Sequence, residues 1–469
     1  MVRVITQETY DEVVQENIDE FEMTPEEAIK EAVAQFEAQG VDLSNIIKDL
    51  ALNSGDGQGV SSIVSKLKEL CSRIESDDEA ILKELEALKV ECNKDIARRV
   101  KAGKDGAYNI LTGLLESRFK SYVQKSNEKD DKIIISTLNS LIALMDVQPD
   151  LLDEKGADLI KSILDKIDDG PILISALKWT SVCCVKHEMN RQRLFAKNIG
   201  DNLKLLLNAR KNIRVVSEAM SVIRKFTLDD DVRVEFGKAH EHAKELGAKL
   251  LDPLTQFLKE HPVPPVVSET MLTMAALLVR HELCAMAADA GADEALFAIL
   301  AANFDCVLVI VQASKLITAL AGNDEVKRQL MKAGIAPILV TLLNRHSSNP
   351  TAAALILKCI SALTLREPSH SQQFFDSGAP EVMIEAIKNH PTDASVQKNG
   401  CWAIRNMVAR CRDQNPKFHE LGVESLLNEA YDRFSKDFGF DIKSALRDLE
   451  CDVKLDEQWK GKGVQMENN

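Results

Sequence analysis

An indole and a carboxamide stand four residues apart in Gly400-Cys401-Trp402-Ala403-Ile404-Arg405-Asn406-Met407, the spacing that places two side chains on one face of a helix. The indole offers a flat plate for aliphatic stems, and the amide can donate to and accept from a peptide backbone. This is chemistry for holding a chain rather than for breaking a bond. Used in that way, Trp402 would be a hot spot of about 2 kcal/mol or more and Asn406 would contribute about 1 kcal/mol. The alternative is a tryptophan wedged between neighbouring helices.

Catalysis finds no comparable constellation. The sequence contains no nucleophile elbow, Walker sequence or kinase signature. His187-Glu188, His240 with His242, and His281-Glu282 bring metal-ligand types together, but no second histidine follows at i+4 and no carboxylate set completes them. Surface histidines, no metal and no cofactor are expected. Ten cysteines, at 71, 92, 183, 184, 284, 306, 359, 401, 411 and 451, include no CxxC pair, and several sit in apolar helical stripes as small hydrophobes. They read as reduced, structural thiols. Adjacent Cys183 and Cys184 would point about 100° apart on a helix, a poor geometry for a bridge, and Trp179 before them reads as core.

The elements that must carry Trp402 and Asn406 announce themselves by repetition. Glycines at 106, 156, 200, 247, 291, 334, 378 and 422 follow one another at steps of 50, 44, 47, 44, 43, 44 and 44 residues. A period in the forties indicates stacked helical units. After Gly334 comes the apolar stretch Ile335 to Leu343, a break at His346-Ser347-Ser348-Asn349-Pro350, and a helical stripe of Leu355, Ile356, Cys359, Ile360 and Leu363. Breaks at His261-Pro262 and His390-Pro391 fall at matching places, where proline ends one helix and opens the next. Val326 to Lys332, Ser371 to Asp376 and Asn415 to Glu420 add a short helix leading directly into a glycine, which suits a sharp turn with positive φ. An all-α fold follows, since strand-favouring runs are missing.

Charge is unevenly placed. Residues 1–60 hold fourteen acidic and three basic residues, so this segment carries −11 of the chain's −15 and leaves −4 for the rest. A nearly neutral body argues against nonspecific nucleic-acid binding through a basic field. The acidic segment reads as two amphipathic helices, the second opened by Thr24-Pro25-Glu26-Glu27 and stopped by Gly40. Asn53 to Gly59 is glycine-rich but lacks the spacing of a phosphate loop, so a hinge is expected. The division expected is an acidic helical leader over 1–50, a flexible linker over 51–60, a solenoid of about eight to nine repeats over 61–460, and a disordered tail over 461–469. The longest apolar run, Met271 to Val279, stops at Arg280. A soluble monomer in the cytosol, with the nucleus left open, is the expectation, without direct contact to membrane.

A short helix, a glycine and two longer helices in about 44 residues, with junctions such as Lys332-Ala333-Gly334-Ile335-Ala336-Pro337-Ile338-Leu339-Val340, resembles the armadillo repeat. The leader, from Ile5-Thr6-Gln7-Glu8-Thr9-Tyr10-Asp11 to Gln39-Gly40-Val41-Asp42-Leu43-Ser44-Asn45-Ile46, resembles the N-terminus of the armadillo repeat-containing protein 6 family. The resemblance covers essentially the whole chain. It implies a right-handed superhelix of three-helix repeats whose third helices line a concave groove for an extended peptide, and it supplies no chemical activity. Trp402 and Asn406 resemble the pair with which nuclear-import armadillo proteins grip peptide. Other repeats depart from that pattern, placing Lys315 with Ala319, Lys358 with Ala362, and Ser221 with Lys225 at the paired positions. Lys225, Lys315, Lys358 and Arg405 then align along one groove, favouring an acidic or phosphorylated ligand. The expected function is a non-catalytic scaffold binding a segment of a partner protein. A nuclear-transport adaptor for basic peptides and a repeat-bearing ubiquitin-ligase substrate receptor are the alternatives. The leader either folds back onto groove lysines or caps the first repeat.

Overall fold

The computed structural model describes residues 3–48, 57–73 and 77–453. Apart from one isolated bridge between Arg3 and Val41, every element among these residues is a helix. The chain divides into two compact units, Met1–Pro253 and Leu254–Asn469, the boundary falling at a proline inside the Ala239–Glu260 helix.

The first unit begins with the leader. Thr6 caps the helix Gln7–Phe21, and Thr24 and Glu27 form a reciprocal capping box ahead of Pro25–Ala38. The two helices bury Tyr10, Val14, Ala28, Ala32 and Phe36 against Val41, Leu43 and Ile46, a core of their own. The returning strand of chain is tied down by Gln7 Nε2 donating to Ile47 O at 2.9 Å, Ile47 N donating to Gln7 Oε1 at 2.8 Å, and Asn45 Nδ2 donating to Ile5 O at 3.0 Å. Asp11 then lies 3.5 Å from Lys104, and the Lys186 ammonium 3.4 Å from Ser44 O. The glycine-rich linker expected over 51–60 needs correction: Gly57–Ser72 is helical, because Val60, Val64 and Leu67 supply a buried stripe that draws the preceding glycines into its first turn. Residues 51–56, the end of the expected solenoid beyond 453 and the tail 461–469 lie outside the described residues.

Three-helix repeats follow. Ile96–Lys104, Ala107–Gln124 and Glu128–Met145 form one complete unit, and Glu188–Ala196, Ile199–Ala209 and Ile213–Phe226 another. Between them the short first helix shrinks to a 3-10 turn at Pro149–Leu151. After Phe226 no short helix forms before Ala239. An ionic network holds that irregular stretch. Arg191, buried, donates from Nε to Glu188 at 2.9 Å and from NH1 to Asp230 at 2.5 Å and to Cys184 O at 2.8 Å. Glu188 also accepts from Lys238 N at 2.7 Å, and Arg233 bridges Asp231 at 2.8 Å and Asp150 at 2.7 Å. A buried carboxylate and guanidinium persist in such a place only when each has several partners, as here.

In the second unit three complete repeats run from His281 to Val408, and a last one follows as Asn415–Glu420 and Val423–Asp448, the latter interrupted at Phe434 and Phe438. Third helices pack in order, Pro264–Leu277 on Val307–Leu320, then Pro350–Thr364, then Ala394–Val408, then Val423–Asp448. Gly334 shows how the repeat turns: its φ of 90° is left-handed, it caps Ile335–Arg345, and an added Cβ would meet nothing within 4 Å. Glycine is present there for backbone conformation alone. Gly106, Gly291, Gly378 and Gly422 hold the same position, whereas Gly156, Gly200 and Gly247 lie within helices. At the second of those junctions Asn198 (φ 58°) takes the left-handed place. Gly156 serves close approach instead, since a Cβ would stand 2.2 Å from the Tyr108 hydroxyl.

Candidate partner-binding site

Trp402 and Asn406 lie on Ala394–Val408, whose inner side is buried through Val396, Cys401, Ile404, Met407 and Val408. Gly400 lets this helix sit tightly against Ala379–Asn389, because a Cβ there would fall 2.6 Å from the Ile387 side chain. Asp393 opens it by accepting from Val396 N at 2.9 Å. Trp402 is half-buried, and the Lys398 ammonium sits 4.9 Å from its ring centroid in a cation–π arrangement. Lys398, one turn before Trp402, escaped the sequence reading. Its i, i+4 spacing to the indole was the available signal.

The structure changes the roles of the two residues beside Trp402. Asn406 was expected to give its amide to a bound peptide in both directions. Instead Nδ2 donates to Ser361 O and Ser361 Oγ, each at 2.9 Å, on the preceding third helix. Its Oδ1 makes no hydrogen bond among the described residues, leaving an acceptor for an incoming N–H. Arg405 was expected to face acidic ligand, but Nε lies 3.5 Å from Asp448 Oδ2 and NH1 4.0 Å from Asp441 Oδ1. Its charge is answered within the chain because Val423–Asp448 packs alongside.

Lys358 is exposed on Pro350–Thr364 and Lys315 half-buried on Val307–Leu320. Among the described residues neither lysine, nor Lys398, has a carboxylate partner. The three occupy consecutive third helices, in a protein that pairs many of its surface cations. Ala319 and Ala362, half-buried one turn after Lys315 and Lys358, leave the backbone approachable. Lys225 belongs to the first unit, half-buried on Ile213–Phe226 and likewise without a carboxylate partner among the described residues; Ser221 before it faces Ser181, the hydroxyls 3.4 Å apart.

The other residues weighed for chemistry are structural. Trp179 is fully buried, its indole nitrogen 3.0 Å from Met145 Sδ. Burial pushes the Cys184 and Cys401 thiols up to about 12, and that of Cys359, which donates to Ser314 O at 2.9 Å, up to about 11. Such thiols are inert. His242 corrects the expectation of surface histidines: it is 4% exposed and stacked 4.0 Å from the Phe195 ring. His187 pairs with Asp150 at 2.9 Å. Among the described residues no helix is long and apolar enough to cross a membrane.

Residues 60–467 match the ARMC6 family and residues 2–64 the armadillo repeat-containing protein 6 N-terminal domain. The armadillo repeat-containing protein 6 homolog of Drosophila melanogaster is 42% identical over 463 residues, covering 98% of each chain. Armadillo repeat-containing protein 6 of Homo sapiens is 35% identical over 389 residues, covering 78% of this chain and 75% of its own. Among solved structures, an engineered protein superposes with a TM-score of 0.64 at 15% identity, over 95% of this chain and 99% of its own. A chain from work on the interaction between cadherin and β-catenin superposes with a TM-score of 0.56 at 13% identity, over 83% of this chain and 68% of its own. These likenesses agree with an all-helical solenoid of armadillo repeats. By its leader, its repeats and its relatives alike, the chain belongs to the armadillo repeat-containing protein 6 family.

Proposed function

We propose that this protein is a non-catalytic scaffold that holds an acidic, extended segment of a partner protein across the third helices of its second unit. The row of Lys315, Lys358 and Lys398, lacking carboxylate partners among the described residues, carries the reading. Cations without carboxylate partners on neighbouring helices about 10 Å apart match carboxylates three residues apart on a chain of polyproline-II type, which rises about 3.1 Å per residue and returns to the same face every third residue. Trp402 supplies an aromatic plate beside Lys398, and Asn406 Oδ1 an acceptor for one backbone N–H. A rigid stack of helices loses little entropy on capturing a flexible segment, which favours this use of the fold.

The test is fluorescence anisotropy with the full chain and a labelled extended peptide carrying glutamate at every third position, against its lysine counterpart. The glutamate peptide should bind the tighter of the two, and combined Lys358→Glu and Lys398→Glu should weaken it by roughly tenfold or more with helical circular dichroism intact. Binding should weaken between about 0.05 and 0.5 M salt as the Debye length shortens. Preference for the lysine peptide would reverse the assignment in favour of a transport-type adaptor, and equal binding would dismiss the lysine row.

A further inference from the structure

The last repeat ends in a cluster that neither the fold nor the proposed function uses. His419, Glu424 and Cys451 bring an imidazole nitrogen, a carboxylate oxygen and a thiol sulfur within 4.8 Å of one another. His419 closes Asn415–Glu420, Glu424 stands in the first turn of Val423–Asp448, and Cys451 follows that helix. Left-handed Gly422 (φ 81°) and Glu450 (φ 64°) turn the chain at both ends, so Cys451 comes back to meet His419 and Glu424 from beyond the long helix between them.

The surroundings are those of a ligand set already oriented. His419 Nε2 lies 2.8 Å from Leu449 O, and only a protonated nitrogen can donate to a carbonyl, so Nδ1 keeps its lone pair. Metal-bound histidines characteristically hand their other N–H to a carbonyl in this way. Cys451 is held by its backbone N–H donating to Leu446 O at 3.0 Å. Arg412 NH1 at 3.2 Å and Asn415 Nδ2 at 3.3 Å both donate to Asp448 O, fixing the segment that carries the cysteine.

We propose that the His419 imidazole, the Glu424 carboxylate and Cys451 Sγ form a site for a zinc-class divalent cation that ties the chain after the last helix to the turn before it. One nitrogen, one sulfur and one oxygen suit a borderline-soft ion and not magnesium or calcium, which take oxygen ligands. Three protein ligands leave a fourth tetrahedral position for water. Tetrahedral donors stand about 3.5 Å apart, so the side chains must close by about 1 Å. Exposed His419 and Glu424 and half-buried Cys451 are free to do so. Burial and neighbouring Glu424 raise the thiol above its ordinary value, so the cation must displace its proton. Sequence spacing, which gave the expectation of no metal, carries no sign of this set, because two turns assemble it and no helical i+4 pair of ligands is involved.

The experiment titrates the EDTA-stripped full chain with zinc alone, and with cobalt(II) as a spectroscopic substitute. One zinc per chain, a thiolate-to-cobalt charge-transfer band, and affinity that tightens with rising pH are expected. Cys451→Ser should abolish the band, and His419→Phe and Glu424→Gln, both at exposed positions, should each weaken zinc by roughly tenfold to a hundredfold. Zinc should raise the Tm of the natural chain above its own value in EDTA by more than it raises that of any of these variants above theirs. Absence of stoichiometric zinc, a cobalt spectrum without thiolate, or binding unchanged in the three variants would overturn the site.

Discussion

Asn406 Nδ2 lies 2.9 Å from both the carbonyl oxygen and the hydroxyl of Ser361, on the third helix one repeat earlier. Two turns before it, Asn399 Nδ2 donates at 2.9 Å to Ala354 O on that same helix. The asparagines thus form two rungs between the helices that carry Lys358 and Trp402, holding those helices in register. A motif that looks like a ligand clamp is also a structural clamp.

Asn406→Ala should therefore lower stability by about 1–2 kcal/mol, the cost of leaving Ser361 with lost partners. Trp402→Ala, at a half-buried position, should weaken the glutamate peptide more while shifting the urea midpoint less. Midpoints with peptide anisotropy on both variants measure the split. Loss of peptide binding from Asn406→Ala at unchanged midpoint would show that the rungs carry no stability.

Two glycines separate backbone conformation from packing. Gly334→Val should cost about 1–3 kcal/mol through its left-handed φ, and Gly334→Asn should recover most of it, because asparagine tolerates that region and the site is open. Gly400→Ala should also cost about 1–3 kcal/mol, but through overpacking against Ile387. Adding Ile387→Ala should offset part of the clash, although it opens space elsewhere in the core. Denaturation midpoints of the four variants decide it, and a Gly400→Ala loss that Ile387→Ala offsets in no part would contradict the packing account.

Repetition made the helices legible, since period and break residues alone place Asp324–Lys332, Ile335–Arg345 and Pro350–Thr364 to within two residues. It did not reveal which glycines turn the chain: Gly156 follows the same rhythm as Gly334, yet serves close approach to Tyr108. Apolar stripes put Lys315, Lys358 and Trp402 on third helices, where each of them lies. They could not show that Asp448, from another repeat, answers Arg405, or that Ser361 takes the Asn406 amide. Such pairings depend on register between helices some forty residues apart, which local periodicity does not contain. Buried Arg191 and His242 were obscured for the same reason, their partners arriving from distant segments.

His242 sets a pH limit on the first unit. Burial lowers its pKa below the ordinary imidazole value; the contact of Nδ1 with Phe226 O at 3.3 Å and the Glu188 charge oppose that shift, and Lys238 and Arg191 reinforce it. The unfolded chain takes up this proton near pH 6.5, the folded chain only at lower pH, so between the two values the unfolded state holds more protons. Stability is full above about pH 6.5 and falls as pH drops through the folded value. Asp150 is held near 2 by His187 and Arg233, so stability it contributes above the ordinary carboxylate pKa fades only below about pH 4, a separate window. His242→Phe keeps a ring against Phe195 but leaves the Phe226 carbonyl without its donor. It should lower Tm at pH 7 and flatten the decline of Tm between pH 7 and 5, as read by thermal melts in matched buffers. A slope identical to that of the natural chain would assign the decline to other groups.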